Sequence, residues 1–244
     1  MELRENYLKL ALPYLPRLLH LIDQNPYTPT YGCFDRAFWH YRTMAFPCGM
    51  SQEMVLPLAL GFSRQYPANK YYQSERLKEL SEAAIRYMIK SSHNDGTCDD
   101  YFPYERAMGA LVFSLYAATE AYQVIGMQDD EVENFFLKRV HHLENENETG
   151  RLSNHQALAG LAAYNVFCIT GDDKARKTAE DRVALTLSWQ DPDEGWYQEY
   201  EGADPGYHTC TIDFLAKYLQ KRNTQEEEEE HSVLQSLKKA VDFS

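Results

Sequence analysis

Basic residues are scarce in this chain. Its 244 residues carry 24 Lys and Arg against 37 Asp and Glu, a formal net charge of −13 at pH 7. Nonspecific attachment to nucleic acid needs a cationic footprint, so no nucleic-acid partner is expected. Long apolar runs are missing as well: none reaches the roughly 18 to 20 residues that span a bilayer, and no membrane partner is expected. The first residues, Met1-Glu2-Leu3-Arg4-Glu5-Asn6, place acidic side chains where an export signal has basic and then apolar ones. The five cysteines, Cys33, Cys48, Cys98, Cys168 and Cys210, are odd in number and scattered. They form neither a C-x-x-C pair nor a zinc spacing, which argues for reduced thiols and a cytoplasmic setting. Asn147-Glu148-Thr149 fits a glycosylation sequon, but without a secretion signal it means little. Period-two alternation of apolar and polar residues is also absent, so no β-rich domain is expected.

What is present is apolar and aromatic. Hydrophobic residues make up 44% of the chain, enough for one large domain spanning residues 1–244 with a real core. Eighteen Tyr and eleven Phe exceed what a simple bundle needs, and such rings line sugar-binding grooves as well as cores. Glu226 to Glu230 is an unbroken carboxylate run, read as a solvated linker before a last amphipathic helix that uses Val233, Leu234, Leu237 and Val241.

The periodicity is helical nearly throughout, and two kinds of helix alternate. Residues 53–66, 105–125 and 153–170 are apolar almost all round, so they must be buried on most sides. Residues 74–90 carry one apolar stripe of Leu77, Leu80, Ala84 and Tyr87, and residues 172–189 another of Ala175, Ala179, Val183 and Leu187. Residues 130–143, with Val132, Phe135, Phe136, Val140 and Leu143, make a third amphipathic helix. These are outer helices covering inner ones. Tyr31-Gly32-Cys33-Phe34-Asp35, Asp95-Gly96-Thr97-Cys98-Asp99-Asp100-Tyr101 and Glu194-Gly195-Trp196-Tyr197-Gln198-Glu199-Tyr200 echo one another, each a Gly with aromatic and carboxylate neighbours ahead of an apolar helix. The echo has no constant period, which predicts degenerate helical hairpins. About five hairpins, each an inner and an outer helix, predict an all-α fold of the α/α-toroid kind.

Two helix starts hold the chemistry. Ser153-x-x-Gln156 has the form of a capping box, which predicts Asn154 and His155 in the first turn of one inner helix. Asp204-Pro205 reads as an N-cap followed by proline at the first helical position, which predicts Tyr207 and His208 in the first turn of the next. If the inner helices run the same way, both mouths open at one end. Their N–H groups and positive dipole ends there favour an anionic group such as a carboxylate.

Ser153-Asn154-His155-Gln156-Ala157-Leu158-Ala159-Gly160, together with Glu199 and Gly206-Tyr207-His208-Thr209-Cys210-Thr211, resembles the Asn-His and Glu…Tyr-His segments of heparinase II/III-like and alginate polysaccharide lyases. The resemblance implies an α/α-toroid catalytic domain acting on an anionic oligo- or polysaccharide by C5 proton abstraction and β-elimination. No cofactor is expected, and no metal either, because no cluster of ligand residues has a convincing spacing. The resemblance implies Asn154 as neutraliser of the uronate carboxylate, His155 as base or second neutraliser, and Tyr207 as base, acid or both. Arg151, Trp196, Glu199, Tyr200 and His208 would bind substrate. A uronate C5-epimerase would need the same proton abstraction. The loop carboxylates Asp191, Asp193, Glu194, Glu199, Glu201 and Asp204, with Asp99, Asp100 and Glu105, keep open a glycoside hydrolase using two carboxylates, and a noncatalytic glycan- or protein-binding toroid stands beside both.

Overall fold

The computed structural model describes residues 2–222 and 227–243. It is all-α: its only strands among the described residues are β1 (Gln198–Glu199) and β2 (Gly202–Ala203), one antiparallel hairpin pairing Gln198 with Ala203 and Glu199 with Gly202. The chain forms two compact units, Met1–Arg139 and Val140–Ser244. Among the described residues no helix is long and apolar enough to cross a membrane.

The first unit begins with α1 (Glu2–Ala11), α2 (Leu15–Leu21) and α3 (Arg36–Trp39). Sequence periodicity assigned no helix here, because Pro13 and Pro16 cut the pattern into pieces too short to show a stripe. A 3₁₀ segment, Gly49–Met54, leads into α4 (Val55–Ser63), so the apolar helix expected over 53–66 is shorter than its pattern. Then come α5 (Glu75–Ser91) and α6 (Met108–Ile125), and α7 (Asp130–Asn145) carries the chain into the second unit. The stripe read from α5 is the one that is buried: Leu77, Leu80, Ala84 and Tyr87 are each at most 5% exposed. Helix α6 packs against both α4 and α5, which is why it is apolar on every face.

The second unit holds α8 (Ser153–Thr170), α9 (Asp173–Ser188), the β1–β2 hairpin, α10 (Pro205–Arg222) and α11 (Glu227–Phe243). Helix α8 packs between α9 and α10, and its residues are accordingly apolar all round. Its approach to α9 is close enough that a Cβ on Gly160 would lie 2.7 Å from Val183 Cγ2, so no other residue fits without displacing α9. Asp172 caps α9 by accepting from the Ala175 N–H at 3.0 Å, and Gly171 ends α8 in the left-handed region.

Two expectations for the last helix are corrected. The backbone of Glu227–Glu230 is helical, the first turn of α11, and not a linker; glutamate is a good helix former, and acidic residues are favoured in a first turn. Glu226 lies outside the described residues. Val233 and Leu237 are buried as expected, but Leu234 and Val241 are exposed, and Ser236 and Ala240 complete the inward seam.

The three loops that echo one another in sequence share a backbone turn. Gly32, Gly96 and Gly195 have φ of +93°, +88° and +87°. In each, the glycine N–H reaches back to the carbonyl of an earlier residue (Asp23, His93, Asp191), whose own N–H bonds the carbonyl just after the glycine. Each glycine also lies against a helix: α5 for Gly32, α7 for Gly96 and α11 for Gly195. Left-handed backbone and close approach both require glycine, so the degenerate repeat is physical.

Candidate functional site

The start of α8 is held from a distance. Ser153 is its first helical residue, and no side chain caps the preceding Leu152, so the capping box expected from Ser153 and Gln156 does not form. The Ser153 hydroxyl donates to the Gln198 carbonyl at 2.7 Å, and the Gln156 amide turns to Asn147 and Arg182. A bridge between Leu152 and Glu199 brings the hairpin to the helix end. There the Glu199 carboxylate takes over the capping: Oε1 accepts from the Asn154 backbone N–H at 2.6 Å and Oε2 from Asn154 Nδ2 at 2.8 Å. The Thr211 hydroxyl of α10 approaches Oε1 at 3.4 Å. Glu199 is only 2% exposed. Burial pushes its carboxyl above the usual carboxylate range, and the two Asn154 donors and the nearby His155 pull it part of the way back.

The start of α10 forms as its sequence predicts. Asp204 Oδ1 accepts from the Tyr207 N–H at 2.9 Å, and its carbonyl from the His208 N–H at 2.8 Å. Pro205 takes the first helical position. Helices α8 and α10 run the same way: Glu199 joins the first turn of one to the second turn of the other, and farther along the Tyr164 and Tyr218 rings meet at 5.3 Å. Both mouths therefore open at one end of this unit.

Around that end the expected residues separate into two groups. Asn154 is 1% exposed, its amide spent on Glu199 and its Oδ1 buried without a hydrogen-bond partner. In this conformation a sugar cannot touch it, which corrects its expected contact with substrate. His208 is likewise 1% exposed; Nδ1 accepts from the Tyr197 N–H at 3.2 Å and Nε2 donates to the Ala240 carbonyl at 3.0 Å. Both nitrogens join backbone to backbone, so His208 ties α10 to the 190s loop and α11 rather than facing a ligand.

The second group faces outward. His155 is partly buried, its Nδ1 at 2.9 Å from Glu148 Oε2 and 3.2 Å from Oε1. A carboxylate on Nδ1 fixes the orientation of the ring. Tyr207 is 39% exposed and Tyr200 60% exposed, their rings meeting edge to face at 5.9 Å. Tyr207 raises the neighbouring Tyr200 phenol above its ordinary range. Tyr200 sits at the hairpin turn with φ +53°, a left-handed position where a tyrosine is uncommon. Exposed Arg151 reaches the Gln198 side chain at 3.3 Å, beside the α8 mouth. Half-buried Trp196 donates its Nε1–H to Glu194 at 2.9 Å.

Glu148 is the partner that the sequence did not reveal. It lies in the loop before α8, and that loop is held by Arg182, a buried residue of α9. Arg182 donates to Asn147 Oδ1 at 3.0 Å, to the Glu146 carbonyl at 2.6 Å and to the Leu143 carbonyl. Of the loop carboxylates, Asp191 accepts from the N–H groups of Asp193 and Glu194, and Asp204 caps α10. In the first unit Glu105 accepts from the N–H groups of Asp100, Tyr101 and Phe102, and Asp99 pairs with His93. These four carboxylates are taken up in local structure. Compared with protein-family models and with curated proteins, the chain matches none of either.

Proposed function

We propose that this protein is a polysaccharide lyase-like enzyme that eliminates across a 4-linked uronate, with the chemistry carried by Tyr207, Tyr200 and His155. The observation that carries the proposal is the edge-to-face Tyr200–Tyr207 pair at the mouth of α10, on the same end of the unit as the His155–Glu148 dyad. Elimination needs one group to take the C5 proton and one to protonate the departing O4. Because Tyr207 raises the Tyr200 phenol above its ordinary range, Tyr200 is assigned the role of proton donor and Tyr207 that of acceptor.

The step balances as follows. Tyr207 first gives its own proton to solvent and acts as the phenolate. The C5–H bond breaks and its proton passes to the Tyr207 oxygen; the released electron pair becomes the C4=C5 double bond; the C4–O4 bond breaks and O4 takes a proton from Tyr200, which regains one from solvent. Charge that gathers on the uronate carboxylate as C5 ionises is met by Arg151 and by the His155 ring, whose orientation Glu148 holds. Donors already in position for that charge supply the larger share of the rate. Asn154 and Glu199 act as positioning residues. The proposal carries with it the α/α-toroid expectation, for which each unit supplies paired apolar and amphipathic helices.

The test is turnover of a 4-linked uronate polymer by the full chain. The expected product is an unsaturated uronate that absorbs in the ultraviolet, and Tyr207→Phe should lower kcat by about 10²–10⁴-fold, the usual worth of positioned proton transfer, with KM nearly unchanged. New reducing ends without the absorbing product would replace the lyase with a hydrolase. Binding without turnover would replace it with a glycan-binding protein.

A further inference from the structure

A cavity of about 530 Å³ in the first unit lies between the loop after α2 and the chain around α3. We propose that it is a binding subsite for an acidic sugar residue, an inference that rests on the carbohydrate reading above. Its volume falls in the range of small-ligand pockets.

Three features of its lining match one chemistry. The floor is a buried carboxylate already satisfied: Asp23, 3% exposed, accepts from the Asn25 N–H at 3.0 Å and from the hydroxyls of Thr28 and Thr30 at 2.6 and 2.7 Å. With its proton turned to Asp23, the Thr30 oxygen presents lone pairs to an incoming hydroxyl group, while the Thr28 hydroxyl is shared between Asp23 and the Asn25 carbonyl at 2.8 Å. The wall is aromatic. Phe38 and Trp39 line it, and Trp39 is fixed by an Nε1–H bond to the Leu21 carbonyl at 2.8 Å. An aromatic face held in place suits the C–H face of a pyranose.

The rim is cationic. Arg42 lines the cavity, is exposed, and forms no ion pair or side-chain hydrogen bond among the described residues. Its backbone is left-handed, φ +55°, an uncommon conformation for arginine. In a chain of net charge −13, a guanidinium with no carboxylate of its own suits a carboxylate from outside. A hydroxyl acceptor, an aromatic face and one unmatched cation together select a uronate over a neutral hexose.

The experiment uses the full chain carrying Tyr207→Phe, so that binding is measured without turnover. The probes are a tetramer of 4-linked uronate and a tetramer of 4-linked glucose, titrated by calorimetry. Adding Arg42→Asn, a residue that tolerates left-handed backbone, should weaken the uronate tetramer roughly tenfold, as loss of one partly exposed charge-assisted contact would. It should leave the glucose tetramer unchanged, and Arg42→Lys should restore most of the loss. The change in tryptophan fluorescence on binding should shrink in Trp39→Phe. Equal affinity with and without Arg42, equal affinity for the two tetramers, or a fluorescence change undiminished in Trp39→Phe would each overturn the subsite. Failure of the two proposals is distinguishable. Unsaturated product with no dependence on Arg42 leaves the lyase and removes the subsite, whereas Arg42-dependent binding with no product leaves the subsite and removes the lyase.

Discussion

Glu199 offers the sharpest test of how the second unit is held together. Its carboxylate is 2% exposed and caps α8 through two Asn154 donors. Glu199→Ala leaves both donors buried without an acceptor. At about 1–3 kcal/mol for each stranded donor, less the relief of no longer burying a charge, the expected loss is about 3 kcal/mol. Glu199→Gln should be far milder, about 1 kcal/mol, for a geometric reason. The Gln carbonyl can still accept from the Asn154 backbone N–H. Its amide nitrogen then faces Asn154, whose unpartnered Oδ1 can turn toward it by a flip of the side-chain amide.

The pH dependence gives a second, independent arm. Burial holds the folded Glu199 pKa above its unfolded value. Between those two values the native state binds more protons than the unfolded state, so stability falls as pH rises through that window. Wild type should therefore gain stability relative to Glu199→Gln on acidification from neutral pH into the carboxylate range. Urea denaturation at a series of pH values, with linear extrapolation, measures both arms. A Glu199→Ala loss no larger than that of Glu199→Gln, or a wild-type advantage that shrinks on acidification, would refute this account of the anchor.

Two further outcomes are expected. Glu148→Ala should lower kcat about 10- to 100-fold with little change in KM or melting temperature, as loss of a partner that orients a working side chain does, and Glu148→Asp should recover part of it; a wild-type signal for a hydrogen-bonded His155 Nδ1 proton that persists in Glu148→Ala would show that the dyad does not orient the ring. All five cysteines are thiols. In the native protein a disulfide reagent near neutral pH should modify exposed Cys168 first and spare Cys33 and Cys48, whose thiols burial pushes up to about 11 and about 12, while the denatured protein should yield all five; fast native reaction of Cys33 would contradict its burial.

How much of this was legible depends on whether the signal was local. Helices α5, α6, α8 and α9 showed in the sequence because each buries a stripe or a whole surface, and burial writes itself into the period of apolar residues. The α10 cap was legible for the same reason, since Asp204 serves N–H groups three and four residues on. The α8 cap was not. Ser153 and Gln156 have the right spacing for a capping box, but both side chains found partners distant in sequence, and the carboxylate that does the capping arrives on a hairpin after α9. Glu148 was illegible for a related reason: it reaches His155 across a loop whose shape is set by Arg182, so no regular period links them.

The same limit explains why the candidate residues came in adjacent pairs that sequence could not divide. Asn154 and His155, Glu199 and Tyr200, and Tyr207 and His208 each place one member inward and one outward. The inward members, Asn154, Glu199 and His208, are spent on fastening α8, the hairpin, α10 and α11 to one another. Their neighbours are thereby aimed: a residue beside a fully bonded anchor has little freedom in backbone direction, which is what a proton-transfer group needs to be held within a fraction of an ångström. The division sets distinct consequences for substitution. Changes at the three anchors should appear first in unfolding free energy, and changes at His155, Tyr200 and Tyr207 first in turnover. Were Tyr207→Phe to cost as much stability as Glu199→Ala, the outward residues would be part of the fastening too, and the reason for placing chemistry on them would be gone.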